Sequence, residues 1–278
     1  MAARRAAVLG SPIEHSLSPV LHGAAYAALG LHGWRYDRFE CDEAGLPGFV
    51  SGLGPEWAGL SLTMPLKRVA LTVADEVSPL ATAVGAANTL VLGQGSDRRR
   101  RRAENTDVAG ITAALREAGV RRVERAVILG AGGTAQAALA ALRELGVTAP
   151  AVVVRDPGRT GDLRAAADRL GMQPIVIGGY PAVALPDAEV VISTLPPGAA
   201  DAMTDHLMAP RAVVLDVVYA PWPTRFAAAA MAAGCGIVSG LAVLLHQAVA
   251  QVELMTGRPG PVEPMREALH AAVRARTA

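Results

Sequence analysis

The chain has 278 residues, 51% apolar and 18% charged, with a formal net charge of +1. That composition excludes a disordered chain, and its near-neutral balance gives no global attraction to nucleic acid or to an anionic membrane. No apolar run reaches the ~20 residues that a bilayer span needs, and the N-terminus, MAARRAAVLGSPIEHS, lacks an apolar segment long enough for a secretory signal. The two cysteines, Cys41 and Cys235, are far apart and lack metal-ligand spacing. The expectation is a soluble cytoplasmic protein of two domains, in a reducing compartment, with no metal site.

Apolar runs bounded by turn residues alternate with Ala/Leu-rich helical patterns along the whole chain, which predicts an α/β protein with parallel sheets. Strands are predicted at 5–10, 34–40, 57–62 and 87–92, with helices at 18–29, 43–53 and 66–73 between them. A helix over 107–119 leads into a second series. Its strands are predicted at 125–129, 151–154, 174–177, 189–193 and 212–217, and its helices at 133–145, 160–171 and 223–233. The tail, 240–277, reads as two helices broken at Gly257-Arg258-Pro259-Gly260-Pro261. The arginine run Arg98–Arg102 reads as a solvated hairpin tip, since one short run in a neutral chain is a weak nucleic-acid footprint.

Residue usage is skewed: 25 arginines stand against one lysine, Lys67, and there are two asparagines, Asn88 and Asn105. Arginine does not replace lysine where a compact, titratable ammonium is needed, so these three survivors are candidates for chemistry.

Val127-Ile128-Leu129 runs into Gly130-Ala131-Gly132-Gly133-Thr134-Ala135 and then into helix, which matches G-x-G-x-x-[GA]. Gly130 permits the tight turn, Gly132 lets backbone approach a pyrophosphate, and Ala135 lets helix pack on strand. The helix N-terminus then offers free N–H groups to phosphates. The next strand ends in Arg155, with Arg159 close behind; guanidinium there suits a ribose 2′-phosphate and hence NADP, whereas Asp156 pointing inward would repel it and leave NAD open.

Four further motifs precede this turn. In His15-Ser16-Leu17-Ser18-Pro19, Ser18 reads as an N-cap, and both hydroxyls lie where a helix N-terminus could hold a carboxylate. In Ser61-Leu62-Thr63-Met64-Pro65-Leu66-Lys67, Pro65 reads as opening a helix whose first turn holds Lys67, an unfavourable place for a cation that would ease proton release. Gly85-Ala86-Ala87-Asn88-Thr89 and Asn105-Thr106-Asp107 complete the set, with turn formation and N-capping as the structural alternatives for Asn88 and Asp107.

In this order, the motifs HSLSP, TMPLK, GAANT, NTD and GAGG resemble the shikimate dehydrogenase family over nearly the whole chain, with Val218-Tyr219 before Pro-Trp-Pro-Thr and the stretch Gly240–Gln247 as later matches. The resemblance implies NADPH-dependent reduction of 3-dehydroshikimate to shikimate, in aromatic amino-acid biosynthesis. It implies a substrate domain of residues 1–106 and 240–278, a Rossmann-like NADP domain of residues 107–239, and a monomer or homodimer. By position, Ser16, Ser18, Thr63 and Tyr219 would bind the substrate carboxylate, and Asn88, Asp107 and Gln247 its ring hydroxyls. Lys67 and Asp107 would be the catalytic pair. Gly130, Ala131, Gly132, Gly133, Thr134, Ala135, Arg155, Arg159 and Gly240 would serve the cofactor. Ser61-Leu62-Thr63 stands where the family commonly has Asn-Val-Thr, Val154-Arg155-Asp156 where it has Asn-Arg-Thr, and Ser193-Thr194-Leu195 where Asn-Ala-Thr is usual. Those departures leave a quinate or aminoshikimate dehydrogenase, or a silent NADP-binding sensor, as alternatives.

Overall fold

The computed structural model describes residues 3–93, 100–179, 188–204 and 211–277. They form two compact units: residues 1–106 with 245–278, and residues 107–244. One boundary falls at Thr106–Asp107, the other inside a long helix.

In the first unit, β1 (Arg4–Gly10) is buried from Ala6 onward and β3 (Trp57–Leu62) throughout, as their largely apolar sequences require of central strands. The edge strand β2 (Trp34–Glu40) alternates aromatic and charged residues instead. With β4 (Glu76–Val77), β5 (Thr89–Leu92) and β6 (Arg101–Glu104), the described sheet has the order β2-β1-β3-β5-β6-β4. It is mixed: β1 runs parallel to β2 and β3, but β5 is antiparallel to both β3 and β6. The hairpin β5–β6 reverses the chain direction that the all-parallel expectation assumed. Arg98 and Arg99 of the arginine run lie outside the described residues. Arg100, Arg101 and Arg102 pair with Glu76, Asp75 and Glu104 at 2.8, 2.7 and 2.7 Å. Arg101 holds the Asp75 carboxyl down at about 2, and these charges are matched locally rather than left for phosphates.

Helices α1 (Ser18–Ala28), α2 (Leu46–Ser51), α3 (Val69–Val73) and α4 (Pro79–Val84) connect these strands. Ser18 does not cap α1: it is the first helical residue, Leu17 holds the cap position without a side-chain bond, and Ser16 Oγ accepts from the Ser18 N–H at 3.3 Å. Lys67 lies in the turn before α3, which starts at Val69 and has five residues, so the helix-dipole argument for Lys67 does not apply.

In the second unit, α5 (Asp107–Glu117) leads to β7 (Ala126–Leu129), α6 (Gly133–Glu144), β8 (Ala151–Val154), α7 (Gly161–Leu170), β9 (Ile175–Gly178), β10 (Val190–Ser193), β11 (Val213–Asp216), α8 (Arg225–Ala232) and β12 (Gly236–Ser239). Every described pairing is parallel, in the order β12-β11-β10-β7-β8-β9. This is the doubly wound arrangement, with its reversal of winding between β7 and β10. Helix α9 (Gly240–Thr256) then runs back to the first unit, and α10 (Val262–Thr277) packs on α1 there. Cys41 and Cys235 are both buried free thiols. No helix among the described residues is long and apolar enough to cross a membrane.

Candidate active site

The loop over residues 63–67 begins at the carboxyl ends of β1 and β3. β1 ends at Gly10, where a Cβ would lie 2.3 Å from Thr63 Cγ2 and 2.9 Å from the Met64 carbonyl oxygen. Glycine there lets the Thr63 loop fold against the strand end. The loop is held by Thr63 N–H to Leu9 O at 2.9 Å and Ser11 N–H to Met64 O at 3.0 Å.

Lys67 and Asn105 both hold the Ala86-Ala87 segment that leads into Asn88. The Lys67 carbonyl accepts from Ala87 N–H at 2.8 Å, and Asn105 Nδ2 donates to Ala86 O at 2.9 Å. Asn88, 2% exposed, is held from several sides. Its Oδ1 accepts from Thr106 N–H at 2.8 Å and from Thr89 Oγ1 at 3.0 Å, while its Nδ2 donates to Thr106 Oγ1 at 2.9 Å and to Gln247 Oε1 at 3.3 Å. This is more than turn formation: the side chain spans two motifs and the returning helix α9. Asp107 follows Thr106 directly and is the first residue of α5.

Behind these groups lies a buried polar layer that the motifs did not indicate. Gln251, one helical turn after Gln247, accepts at Oε1 from Ser61 Oγ at 2.7 Å and donates from Nε2 to Thr89 Oγ1 at 3.0 Å and to Asn88 O at 3.3 Å. Ser61 in turn accepts from Tyr36 Oη at 2.6 Å. His22, fully buried, meets Gln251 Oε1 through Nε2 at 3.3 Å and stacks on Tyr36 with ring centroids 3.9 Å apart. Burial pushes His22 down to about 3, with the Gln251 bond opposing, and raises the Tyr36 hydroxyl. Both are neutral near pH 7. The i, i+4 spacing of Gln247 and Gln251 was the one sequence signal for this layer.

The second unit holds the nucleotide turn at the switch point. Gly130 has φ +106°, which favours glycine, and a Cβ on it would sit 2.6 Å from Thr194 Oγ1. Gly132 caps the twelve-residue α6 and Gly133 begins it, and a Cβ on either would meet nothing within 4 Å. Ala131 and Thr134 flank that open ground, and Ala135, in the first turn of α6, is fully buried. The site fits a dinucleotide pyrophosphate: close backbone, free N–H groups and the positive end of a helix dipole.

After β8, Arg155 and Arg159 are exposed. Asp156 Oδ1 accepts from Gly158 N–H at 2.8 Å and caps the short 3-10 helix Pro157–Arg159. Its carboxylate is thus engaged within its own turn. Gly240 is buried, and a Cβ there would lie 2.0 Å from the Val217 carbonyl oxygen, so close backbone packing demands the glycine.

Tyr219 is half-buried in the loop after β11. That loop is pinned by Asp216, 2% exposed, whose carboxylate accepts from Thr224 Oγ1 at 2.7 Å and from Val218 N–H at 3.2 Å. Burial raises the Asp216 carboxyl, and those two bonds oppose the rise.

A doubly wound unit with a glycine turn, joined to a unit rich in buried amides and hydroxyls, defines a nicotinamide-dinucleotide oxidoreductase. Comparison with known proteins narrows the class. Residues 8–90 match the shikimate dehydrogenase substrate binding domain, and residues 240–270 match the shikimate 5′-dehydrogenase C-terminal domain. Shikimate dehydrogenase (NADP(+)) of Caulobacter vibrioides is 41% identical over 91% of this chain and 90% of its own. The crystal structure of Mycobacterium tuberculosis shikimate dehydrogenase superposes with a TM-score of 0.87 at 47% identity, covering 97% of this chain and 99% of that one. The Thermus thermophilus enzyme in complex with NADP(H) and shikimate gives 0.82 at 32% identity, over 97% and 99%. The chain belongs to the shikimate dehydrogenase family.

Proposed function

We propose that the chain catalyses the reversible, NADP-dependent interconversion of 3-dehydroshikimate and shikimate, in the cytoplasm, as a monomer or homodimer. The observation that supports this most directly is that Asn88, bonded to Gln247, directly follows the Ala86-Ala87 segment held by the backbone of the sole lysine and by the Asn105 side chain. A polyhydroxylated ring needs amides to match its hydroxyls, and a ketone being reduced needs a proton donor at its oxygen.

When bound, the reduced cofactor supplies the hydride; the chain supplies positions and protons. Gly130, Gly132 and Gly133, with the N–H groups of Thr134 and Ala135, hold the pyrophosphate, and Arg155 and Arg159 take the 2′-phosphate. Ser16, Ser18, Thr63 and Tyr219 bind the substrate carboxylate. Asn88, Asp107 and Gln247 orient ring hydroxyls. As negative charge develops on the carbonyl oxygen, the Lys67 ammonium neutralises it and delivers the proton, while Asp107 fixes the neighbouring hydroxyl. In the oxidative direction, Lys67 receives that proton.

Initial rates with shikimate and with quinate, each against NADP⁺ and NAD⁺, test the proposal. Shikimate with NADP⁺ is expected to give the highest kcat/KM. Nucleotide binding without turnover on either substrate would make the chain a sensor, and faster turnover of quinate would reassign the substrate.

A further inference from the structure

We infer that Gln251 is a positioning residue for substrate recognition: together with the Thr106 N–H, it holds the Asn88 and Gln247 amides with one end toward the substrate, through a buried hydrogen-bond chain running from Tyr36 to Gln247. The inference rests on the function proposed above and adds a residue that touches no substrate.

The direction follows from two backbone groups, the Asn88 carbonyl, which can only accept, and the Thr106 N–H, which can only donate. Asn88 O is a backbone carbonyl, so the part of Gln251 facing it at 3.3 Å must be its NH2. Gln251 Oε1 therefore faces the other way and requires donors, which Ser61 Oγ supplies at 2.7 Å and His22 Nε2–H at 3.3 Å. Ser61 has spent its proton on Gln251, so it must accept from Tyr36 Oη, at 2.6 Å. In the other direction, Gln251 Nε2 donates to Thr89 Oγ1 at 3.0 Å, which frees the Thr89 proton for Asn88 Oδ1 at 3.0 Å. That contact and the Thr106 N–H at 2.8 Å fix Oδ1 as the acceptor end, so Nδ2 must point to Thr106 Oγ1 and Gln247 Oε1. The Gln247 amide is oriented in turn, with its oxygen toward Asn88 and its NH2 away from it. Reversing any one link leaves two like groups facing each other where water is absent: Gln251 is 1% exposed, Thr89 is fully buried and Ser61 is 4% exposed.

The test compares wild type with Gln251→Glu, Gln251→Leu and Thr89→Val, reading KM for shikimate, KM for NADP⁺, kcat and melting temperature. Gln251→Glu keeps the shape but replaces the donor end with an acceptor; Thr89→Val keeps the shape and removes the hydroxyl. Each variant is expected to raise KM for shikimate about tenfold or more, the scale of one mispaired buried hydrogen bond, with KM for NADP⁺ unchanged. A merely structural role would lower the melting temperature and leave the KM of the folded enzyme alone, and that result overturns the inference. If the Gln251 variants do not fold, Thr89→Val decides on the same two outcomes. Wild type inactive on shikimate but active on quinate defeats the functional proposal, not the relay, and the same KM ratios are then read on quinate; inactivity on both defeats the two together.

Discussion

Acid is predicted to weaken the first unit through His22. The ring is fully buried, its Nε2–H is committed to Gln251, and Nδ1 has no hydrogen-bond partner among the described residues. Its ring neighbours Tyr26 and Tyr36 are uncharged. Burial lowers its pKa from 6.5 to about 3, so the folded state refuses a proton that the unfolded chain accepts. The full stability of this site is therefore present above pH 6.5 and is lost as the pH falls from 6.5 toward 3. At pH 5 the unfolded His22 is almost wholly protonated and the folded one is not, a difference worth about 2 kcal/mol by linkage. Urea denaturation at pH 7 and pH 5, followed by tryptophan fluorescence, measures it; Trp34 and Trp57 belong to the same unit as His22. The comparison is with His22→Gln, which keeps a donor for Gln251 but does not titrate. Wild type should lose about 2 kcal/mol more than the variant between the two pH values. Equal losses in both proteins would show that His22 does not carry the acid sensitivity of this unit.

Three further outcomes can be checked separately. Thr224→Val removes both the α8 N-cap bond to Ala227 N–H and the donor to buried Asp216, and should cost ~1–3 kcal/mol in denaturation; wild-type stability would contradict the pinned Tyr219 loop. Gly240→Ala puts a Cβ into the Val217 carbonyl and should destabilise by ~1–3 kcal/mol or more, and an unchanged melting temperature would show that the backbone there gives way freely. Arg155→Ala should raise KM for NADP⁺ about tenfold with kcat little changed, whereas Asp156→Ala should leave the NADP⁺ preference in place; a wild type that prefers NAD⁺ would overturn both.

The strands were legible where burial on both faces imposes a largely apolar run: β3 and β8 match their predicted limits, and β1, β7 and β11 differ by a residue at one or both ends, while the edge strand β2 also matches, on its aromatic residues interleaved with charges. β6 escaped because Arg-Arg-Ala-Glu has no strand-like pattern; pairing with β5 and matched surface charges make it a strand. α4 escaped although its signal was present, since Ser78 caps it by accepting from Ala81 N–H and Pro79 opens it. Ser18 misled because Ser-Pro reads as a cap wherever a helix begins, and here the chain entered the helix one residue sooner. Of the candidate site, Asn88 and the glycine turn were visible because local motifs carry them. Tyr36, Ser61, His22 and Gln251 were not, because their bonds join residues 190 and 229 positions apart and leave no local trace.

The most direct test of the whole account is the initial rate of NADPH formation from shikimate and NADP⁺, measured for wild type beside Lys67→Ala. Wild type should turn over, and the variant should lose kcat by ~10²–10⁴-fold, the scale of general acid–base catalysis, while still binding NADP⁺. Equal kcat in the two proteins, or no turnover by wild type, would contradict it.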